Sequence, residues 1–231
     1  IFNCKVENSS VLGNGSSTPN DNSLAIGGLV GTVEEYAKKR ADIVVMVNGL
    51  PLVVMELKSP SNEGVGEDDA YNQLKAYQKQ IPCLFVYNCF NVTSDMLTTR
   101  AGTITAKQSR YMEWKTVDGN RETLAVADYA TFFRGIFQKE RFLDLIQNFV
   151  CFDKGDGGSF KIMAAYHQYH AVNKALQRAK KAIGGDGKIG VFWHTQGSGK
   201  SLSMLFFTHL LIKHFAETTV VVVTDRKDLD Q

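Results

Sequence analysis

Three charged residues, Asp42, Glu56 and Lys58, have the types and spacing needed for metal-dependent chemistry on a phosphodiester. Two carboxylates brought together by a hairpin can hold Mg²⁺, a hard cation that prefers oxygen ligands and keeps part of its water. Lys58 lies two residues after Glu56, so on a strand both side chains share a face, where the amine can orient or deprotonate an attacking water. Metal and lysine together would stabilise charge developing in the transition state. The alternative is an ion pair on a hairpin end.

The elements that must position these residues are two β-rich runs, 42–47 and 52–57, joined by Asn48-Gly49, a strong hairpin signal. Only directly opposite residues share a face in an antiparallel pair. Asp42 therefore faces Glu56 only where the paired residue numbers sum to 98, whereas a two-residue loop gives 97 and turns Asp42 to the wrong face. We expect a three-residue loop, a five-residue loop or a β-bulge.

A predicted helix follows at about 68–80, with apolar residues at helical spacing and Pro82 as its stop. Gln73 and Tyr77 lie one turn apart on this helix. They could brace the lysine or contact a DNA backbone. Tyr77 also lies on the apolar stripe, so its alternative is an ordinary place in the core.

A glycine-rich loop near the end of the sequence is the second candidate site. It lies between an apolar run at 189–193 and a helical pattern at 201–215, the strand–loop–helix context that a phosphate loop requires. Its glycines let main-chain N–H groups surround phosphates, and the helix N-terminus favours anions. Lys200 can reach the β- and γ-phosphates of a nucleotide, and the Ser201 hydroxyl can ligate Mg²⁺. The loop consists of Thr195, Gln196, Gly197, Ser198, Gly199, Lys200 and Ser201. The alternative is a glycine-rich turn with a chance lysine.

The remaining elements follow from periodicity and turn residues. We predict a loop or insertion at 9–32, a buried strand at 83–87, further strands and turns over 92–117, a helical pattern at 129–152, a boundary at 155–159 and a helix near 161–181. A second strand at 220–224 would complete, with the strand at 189–193 and the helix between them, one βαβ unit of a parallel sheet.

The composition is that of an ordinary globular protein, with 44% hydrophobic and 22% charged residues. No apolar run reaches the length of a membrane-spanning helix. The four cysteines form no C-x-x-C pair of the kind that would suggest a zinc site. Net charge is only +2, although residues 101–231 hold 18 Lys and Arg against 13 Asp and Glu, which allows a DNA-binding face there.

With these motifs in order, the sequence resembles the restriction (R, motor–nuclease) subunit of type I restriction-modification enzymes. The resemblance runs from about residue 33 to the end. It rests on Ala41-Asp42, the run from Asn48 to Lys58, Gln73-x-x-x-Tyr77, Tyr111-x-x-Trp114-Lys115, Phe149-x-x-Phe152-Asp153-Lys154, Tyr166-His167-Gln168-Tyr169, the phosphate loop with Trp193-His194 before it, and the segment 225–231. Ala41 replaces a proline that is frequent in the family motif, and His194 stands where phosphate loops usually have their first glycine, a position that helicase-type motors commonly relax.

The resemblance implies an α/β fold: a PD-(D/E)xK nuclease with a mixed sheet and helices, followed by the start of a RecA-like, superfamily 2 parallel α/β domain. We place the endonuclease domain at 1–130, a helical connector at 131–160 and the first part of the motor domain at 161–231. The sequence ends before the acidic Mg²⁺-binding motif and the second motor lobe, so we expect an N-terminal fragment that lacks ATPase activity by itself.

The resemblance also assigns roles and partners. Asp42 and Glu56 take the metal positions and Lys58 the lysine position of the nuclease, Gln73 and Tyr77 take the helical motif, and Gln168, Lys200 and Ser201 take nucleotide positions, with Gln168 reading the adenine edge. Mg²⁺ and ATP are the implied cofactors. Double-stranded DNA and the methylation and specificity subunits are the implied partners, in the cytoplasm and with no membrane.

Three other classes compete with this interpretation. A type III restriction subunit is also a nuclease–helicase, but its nuclease follows the motor, whereas here the E-x-K hairpin comes first. A non-cleaving, nucleotide-dependent DNA-binding module would have lost part of the charged triad, which is complete here. A small-molecule P-loop kinase would leave the hairpin unexplained.

Overall fold

A computed structural model of the chain describes residues 4–7, 24–30, 39–59, 66–120, 129–155 and 158–223. These residues form an α/β structure with a four-stranded mixed sheet and two smaller two-stranded sheets. The strands are β1 (Cys4–Glu7), β2 (Leu24–Val30), β3 (Ile43–Val47), β4 (Leu50–Leu57), β5 (Phe90–Ser94), β6 (Thr99–Gly102), β7 (Val150–Gly155) and β8 (Gly158–Met163). The helices are α1 (Glu67–Gln80), α2 (Tyr129–Ile136), α3 (Lys139–Asn148), α4 (Tyr166–Ala182) and α5 (Lys200–His214).

The four-stranded sheet has the order β3-β4-β5-β6. Its outer pairs are antiparallel, and the central pair β4–β5 is parallel. Parallel neighbours need a crossover connection, and α1 supplies it between β4 and β5. The mixed sheet with helices that we predicted for the first part of the chain is confirmed.

The β3–β4 hairpin turns through two residues, Asn48 and Gly49, both with positive φ, as a type I′ turn requires. Near the turn the register is that of a two-residue loop, with Val47 opposite Leu50. A bulge then shifts the pairing, so that Ile43 lies opposite Met55. Continued by one residue, this register places Asp42 opposite Glu56, so the bulge is the one of our three expected solutions that the chain adopts.

Helix α1 confirms the prediction for 68–80 within one residue. Its first turn holds three acidic residues, which complement the positive end of the helix dipole, and Gly66 N donates to Asp69 Oδ2 at 2.9 Å. The helix ends at Ile81, before Pro82. Its buried face packs on one side of the sheet through Ala70, Leu74 and Tyr77.

Two predictions in the first half of the chain were wrong. Residues 83–87 do not form a strand, because Pro82 begins a 3₁₀ turn at Pro82–Phe85. Buried apolar side chains in such a turn give the same sequence pattern as a buried strand. Residues 24–30, inside the predicted loop at 9–32, form β2 and pair in parallel with β1. The other residues of 9–32 lie outside the described ranges.

The middle of the chain contains a hairpin that the sequence did not reveal. Helices α2 and α3 confirm the helical pattern up to Asn148, but residues 150–152 belong to β7 and residues 161–163 to β8. The predicted boundary at 155–159 therefore falls within this hairpin, where Gly155 pairs with Gly158 and Gly158 has φ of +113°. Regularly spaced phenylalanines continue from the helices into β7, which explains the error.

One hydrophobic core joins the sheet to the last helices. Its fully buried members come from β4, β5, α2, α3, α4 and α5, and include Val53, Phe90, Phe132, Leu145, Val172 and Phe206. Residues on both sides of 130 and 160 share this core, and our domain boundaries at those points stay predictions. Among the described helices, none has the length and apolar character needed to cross a membrane.

The predicted βαβ unit at the end of the chain is confirmed only in its helix. Residues 189–193 and the described residues 220–223 belong to no strand, and they pair with none of the strands that the structure describes. A strand is stable only where a neighbour takes its main-chain hydrogen bonds. Here Val191 is 94% and Val223 is 89% exposed, so neither segment is covered. Residues 224–231 lie outside the description.

Candidate active site and phosphate loop

The hairpin register brings Asp42, Glu56 and Lys58 together at one end of β4. Leu57 N donates to Asp42 Oδ2 at 2.8 Å, which fixes the aspartate against the neighbouring strand. Lys58 Nζ donates to Glu56 Oε1 at 2.8 Å. The main chain of Lys58 is held by β5, since its amide donates to Ser94 O at 2.7 Å. The predicted triad is therefore one cluster.

Glu56 is the buried member of this cluster, with 5% of its side chain exposed. Burial raises its pKa, and the negative charge of Asp42 adds to this, while the hydrogen bond from Lys58 offsets part of it. Burial also works against the Lys58 ammonium, but the hydrogen bond to Glu56 and the two carboxylates outweigh it and raise the Lys58 pKa. Lys58 is thus an ammonium, which suits it to orient a water and stabilise an anion rather than to remove a proton.

The second oxygen of Glu56, Oε2, is buried and has no hydrogen-bond partner. A buried carboxylate oxygen without a partner is costly, and a bound cation would satisfy it. Asp42 and Glu56 thus fit a Mg²⁺ ion, which retains several waters and needs only one or two protein carboxylates. No group of three or more His, Cys, Asp or Glu side chains suited to a metal forms among the described residues.

Gln73 and Tyr77 reach the same cluster from α1. Tyr77 is buried, and its hydroxyl donates to Arg40 O at 2.8 Å. Burial and the nearby charge of Glu56 raise the pKa of Tyr77, and Gln73 hydrogen-bonds to it. Tyr77 is therefore both a core residue and a neighbour of Glu56, and Gln73 braces the tyrosine.

A polar row on this face of the sheet escaped the sequence analysis. Glu56 lies opposite Thr93 on β5, and Thr93 lies opposite Arg100 on β6. Glu67, at the start of α1, links the last two: its Oε1 lies 3.3 Å from Thr93 Oγ1 and its Oε2 lies 2.8 Å from Arg100 Nη1. The alternating polar residues of β5 and β6 were visible in the sequence, but their alignment with Glu56 depends on pairings that sequence does not give.

The glycine-rich loop turns at two glycines and leads directly into helix α5. Gly197 and Gly199 have φ of +79° and +75°, and Lys200 begins helix α5. Lys200 Nζ lies across the loop and donates to His194 O at 2.7 Å and Thr195 O at 2.9 Å. Gln196 occupies the turn before Gly197, and Ser201 is exposed in the first turn of the helix.

Gln168 contacts this loop, but in another way than predicted. Its Nε2 donates to Ser198 O at 3.2 Å and to Gly199 O at 3.0 Å, and its Oε1 accepts from Ala165 N at 2.9 Å. Both amide protons are thus engaged with the loop, and the adenine-reading role stays a prediction. The Ser198 hydroxyl is buried without a partner, which leaves a polar group that a phosphate could satisfy.

Comparisons with known proteins identify the family of this chain. Residues 28–110 match the family model described as type I restriction enzyme R protein N terminus. The chain is 43% identical over 201 residues to the type I restriction enzyme HindI endonuclease subunit of Haemophilus influenzae, covering 84% of this chain and 19% of that protein. This chain belongs to the family of type I restriction enzyme R proteins.

Two further relatives are also named as type I restriction enzyme endonuclease subunits. The putative MjaIXP endonuclease subunit of Methanocaldococcus jannaschii is 33% identical over 217 residues, which is 84% of this chain and 20% of the relative. The SauCOLORF180P endonuclease subunit of Staphylococcus aureus is 29% identical over 205 residues, 86% of this chain and 20% of the relative. The chain thus spans about a fifth of the length of the curated R proteins that it matches.

The candidate sites fall in different matched regions. The carboxylate–lysine cluster, Gln73 and Tyr77 lie inside the R-protein match. Residues 167–231, which include Gln168 and the phosphate loop, match the model described as SWI2/SNF2 ATPase. This R protein therefore combines an R-protein N-terminal region with a helicase-like ATPase segment.

Proposed function

We propose that the chain forms the nuclease and the first nucleotide-binding elements of an ATP-dependent DNA translocase–endonuclease, which cuts double-stranded DNA in a type I restriction system. The observation that carries the proposal is Glu56, a buried carboxylate with one oxygen on Lys58 and the other without a partner, opposite Asp42. Such an arrangement destabilises a fold unless it serves a cation and a charged substrate.

In this proposal the hairpin is the active centre of a PD-(D/E)xK nuclease. Asp42 and Glu56 would hold Mg²⁺, which when bound would stabilise negative charge on the phosphodiester. The Lys58 ammonium, fixed by Glu56 and by the bond from its amide to β5, orients the water and stabilises the charge that forms on the phosphate. Tyr77 and Gln73 keep the Glu56 carboxylate in place.

The phosphate loop forms the other half of the proposal. Lys200 and Ser201 contact the phosphates and Mg²⁺ of ATP, and the main-chain amides around Gly197 and Gly199 surround the phosphates. Gln168 holds the loop in this shape. The proposed partners are double-stranded DNA and the methylation and specificity subunits, as the similarity to type I restriction enzyme R proteins implies.

The test is a pair of variants in the full-length subunit, assembled with its methylation and specificity subunits. Lys58→Met and Glu56→Gln should each lower DNA cleavage by at least about 10²-fold, the usual cost of losing one group that stabilises a transition state. ATP turnover should stay within about twofold of wild type. Lys79→Met, at an exposed lysine of α1, is the matched control and should change neither activity. Cleavage that survives both substitutions, or ATP turnover that falls with it, would refute the assignment.

A further inference from the structure

The polar row beside the triad ends in a cation, Arg100. We propose that Arg100 binds a phosphate of the DNA backbone close to the cleavage site, and that Glu67 holds its guanidinium for this contact. The proposal rests on the proposed nuclease function, and it assigns a role to residues that the carboxylate–lysine triad does not include.

The sheet places Arg100 close to the triad. Glu56, Thr93 and Arg100 lie opposite one another on three neighbouring strands, so their side chains share a face of the sheet. Neighbouring strands are about 4.8 Å apart, which puts the Arg100 backbone about 10 Å from that of Glu56. An arginine side chain starting there can contact the same DNA strand as the triad does.

Arg100 has hydrogen-bonding capacity that the protein leaves unused. Its Nη1 donates to Glu67 at 2.8 Å, but Nη2 is 3.8 Å from Glu113, beyond hydrogen-bond distance. Glu113 is itself paired with Lys115 at 3.1 Å. A guanidinium has five N–H donors in a planar fork that matches a phosphate. About a third of the Arg100 side chain, 35%, is exposed to receive one.

Glu67 is built to orient this guanidinium. Only 10% of its side chain is exposed, and its two oxygens are occupied by Thr93 and Arg100. Burial raises the pKa of Glu67, and the charge of Arg100 counteracts this. A buried carboxylate that fixes one edge of the guanidinium leaves Nη2 with only the longer ion pair to Glu113 at 3.8 Å.

A phosphate approaching this row would need a cation, because Asp42 and Glu56 would repel it. Lys58 is engaged by Glu56 and Arg100 by Glu67, but the Arg100 side chain is the more exposed of the two cations, 35% against 21%. Arg100 is the other cation of this row in the part of the chain that the structure describes. It therefore supplies the attraction that holds the DNA strand while the triad acts.

The simpler role for Arg100 is to anchor the start of α1 through Glu67, and the experiment must separate the two. Binding of a 30-base-pair duplex to the full-length subunit is measured by fluorescence anisotropy in EDTA, at several salt concentrations. Arg100→Ala should weaken binding roughly tenfold or more, and the slope of log K against log salt should become shallower by about 0.9, the effect of one lost phosphate contact. Arg100→Lys should keep the slope. Arg134→Ala, at an exposed arginine of α2, is the matched control for lost charge and should keep both affinity and slope.

Glu67→Gln distinguishes an anchor from a DNA contact. If Arg100 only anchors α1, Arg100→Ala and Glu67→Gln will lower the melting temperature alike and leave the salt slope unchanged, which would overturn the inference. If Arg100 contacts DNA, only Arg100→Ala changes the slope. Lys58→Met tests the underlying function separately, because it should abolish cleavage while DNA binding persists. Loss of cleavage in Lys58→Met with no slope change in Arg100→Ala would reject the Arg100 role alone, whereas cleavage by the assembled enzyme that survives Lys58→Met would reject the underlying nuclease assignment.

Discussion

The side-chain amide of Gln168 donates to the main-chain carbonyl of Gly199 at 3.0 Å and so joins the first turn of α4 to the N-terminus of α5. The contact is close enough that a Cβ on Gly199 would clash with Gln168 Nε2. The shape of the phosphate loop therefore depends on a residue about thirty positions earlier in the sequence.

Gly199→Ala is expected to reduce nucleotide affinity by at least about tenfold. The new methyl group would force Gln168 away from the loop, and φ of +75° would be strained for alanine. Gly187→Ala is the matched control, because Gly187 has φ of +73° but no atom within 4 Å of the added Cβ. It should cost about 1 kcal/mol of stability and leave nucleotide affinity unchanged. Titration with a fluorescent ATP analogue measures the nucleotide affinity of both variants. Equal losses of affinity would mean that backbone strain, and not the Gln168 contact, is responsible.

Glu56→Gln is expected to abolish cleavage without lowering stability. Burial raises the Glu56 pKa, so folding disfavours the charged form of this side chain. An uncharged amide of the same shape removes that cost, and the unfolding free energy at pH 7 should be unchanged or higher by about 1 kcal/mol. Denaturant titration of wild type and variant provides the comparison. A loss of more than about 2 kcal/mol would make Glu56 a structural residue.

A pH-dependent loss of stability is expected from His170. Burial, together with the charges of Arg141 and Lys174, lowers its pKa to about 4, against the opposing charge of Asp118. Since the unfolded chain takes up the proton near pH 6.5 and the folded chain near pH 4, stability falls as the pH drops between these values. The stability that His170 removes over this pH range is up to about 3 kcal/mol.

Thermal unfolding from pH 7 to pH 4.5 measures this contribution. His170→Gln should flatten the pH profile relative to wild type, whereas His209→Gln, at an exposed histidine of α5, should leave the profile unchanged. Parallel pH profiles for wild type and His170→Gln would contradict this, because they would mean that His170 has the same pKa in the folded and the unfolded chain.

The 231-residue chain is expected to hydrolyse ATP no faster than its Lys200→Ala variant, with or without DNA. Phosphoryl transfer needs a second carboxylate for Mg²⁺, a group that positions the water and a cation for the transition state, and the last of these contributes on the order of 10³–10⁵ in rate. In the full-length subunit the same substitution should abolish ATP turnover and, with it, cleavage. Turnover by the 231 residues well above the Lys200→Ala blank would contradict a two-lobe motor.

The parts of the fold that sequence predicted are those determined by neighbouring residues. The Asn48-Gly49 turn, the apolar stripe of α1 and the Pro82 stop all act within a few positions along the chain. The register argument narrowed the hairpin to three solutions, because all three place Asp42 opposite Glu56. The chain adopts the bulge together with the two-residue turn at Asn48 and Gly49.

The parts that sequence missed depend on contacts between distant residues. Arg100 joins the triad's face only through the pairing of β4, β5 and β6. The Gln168 side chain crosses thirty positions to reach the loop. The strands predicted at 189–193 and 220–224 have suitable residues, but a strand also requires a neighbour, and propensity alone does not supply one.

The two uncovered apolar segments have a practical consequence for handling the protein. Residues 189–193 and 220–223 are β-prone, free of charged side chains and largely exposed. Segments of this kind are templates for strand addition between molecules, which leads to aggregation. The 231-residue chain in isolation should therefore self-associate as its concentration rises. Lysine or glutamate in place of Val191 and Val222 should keep it monodisperse in light scattering, a useful change for anyone studying the nuclease cluster alone.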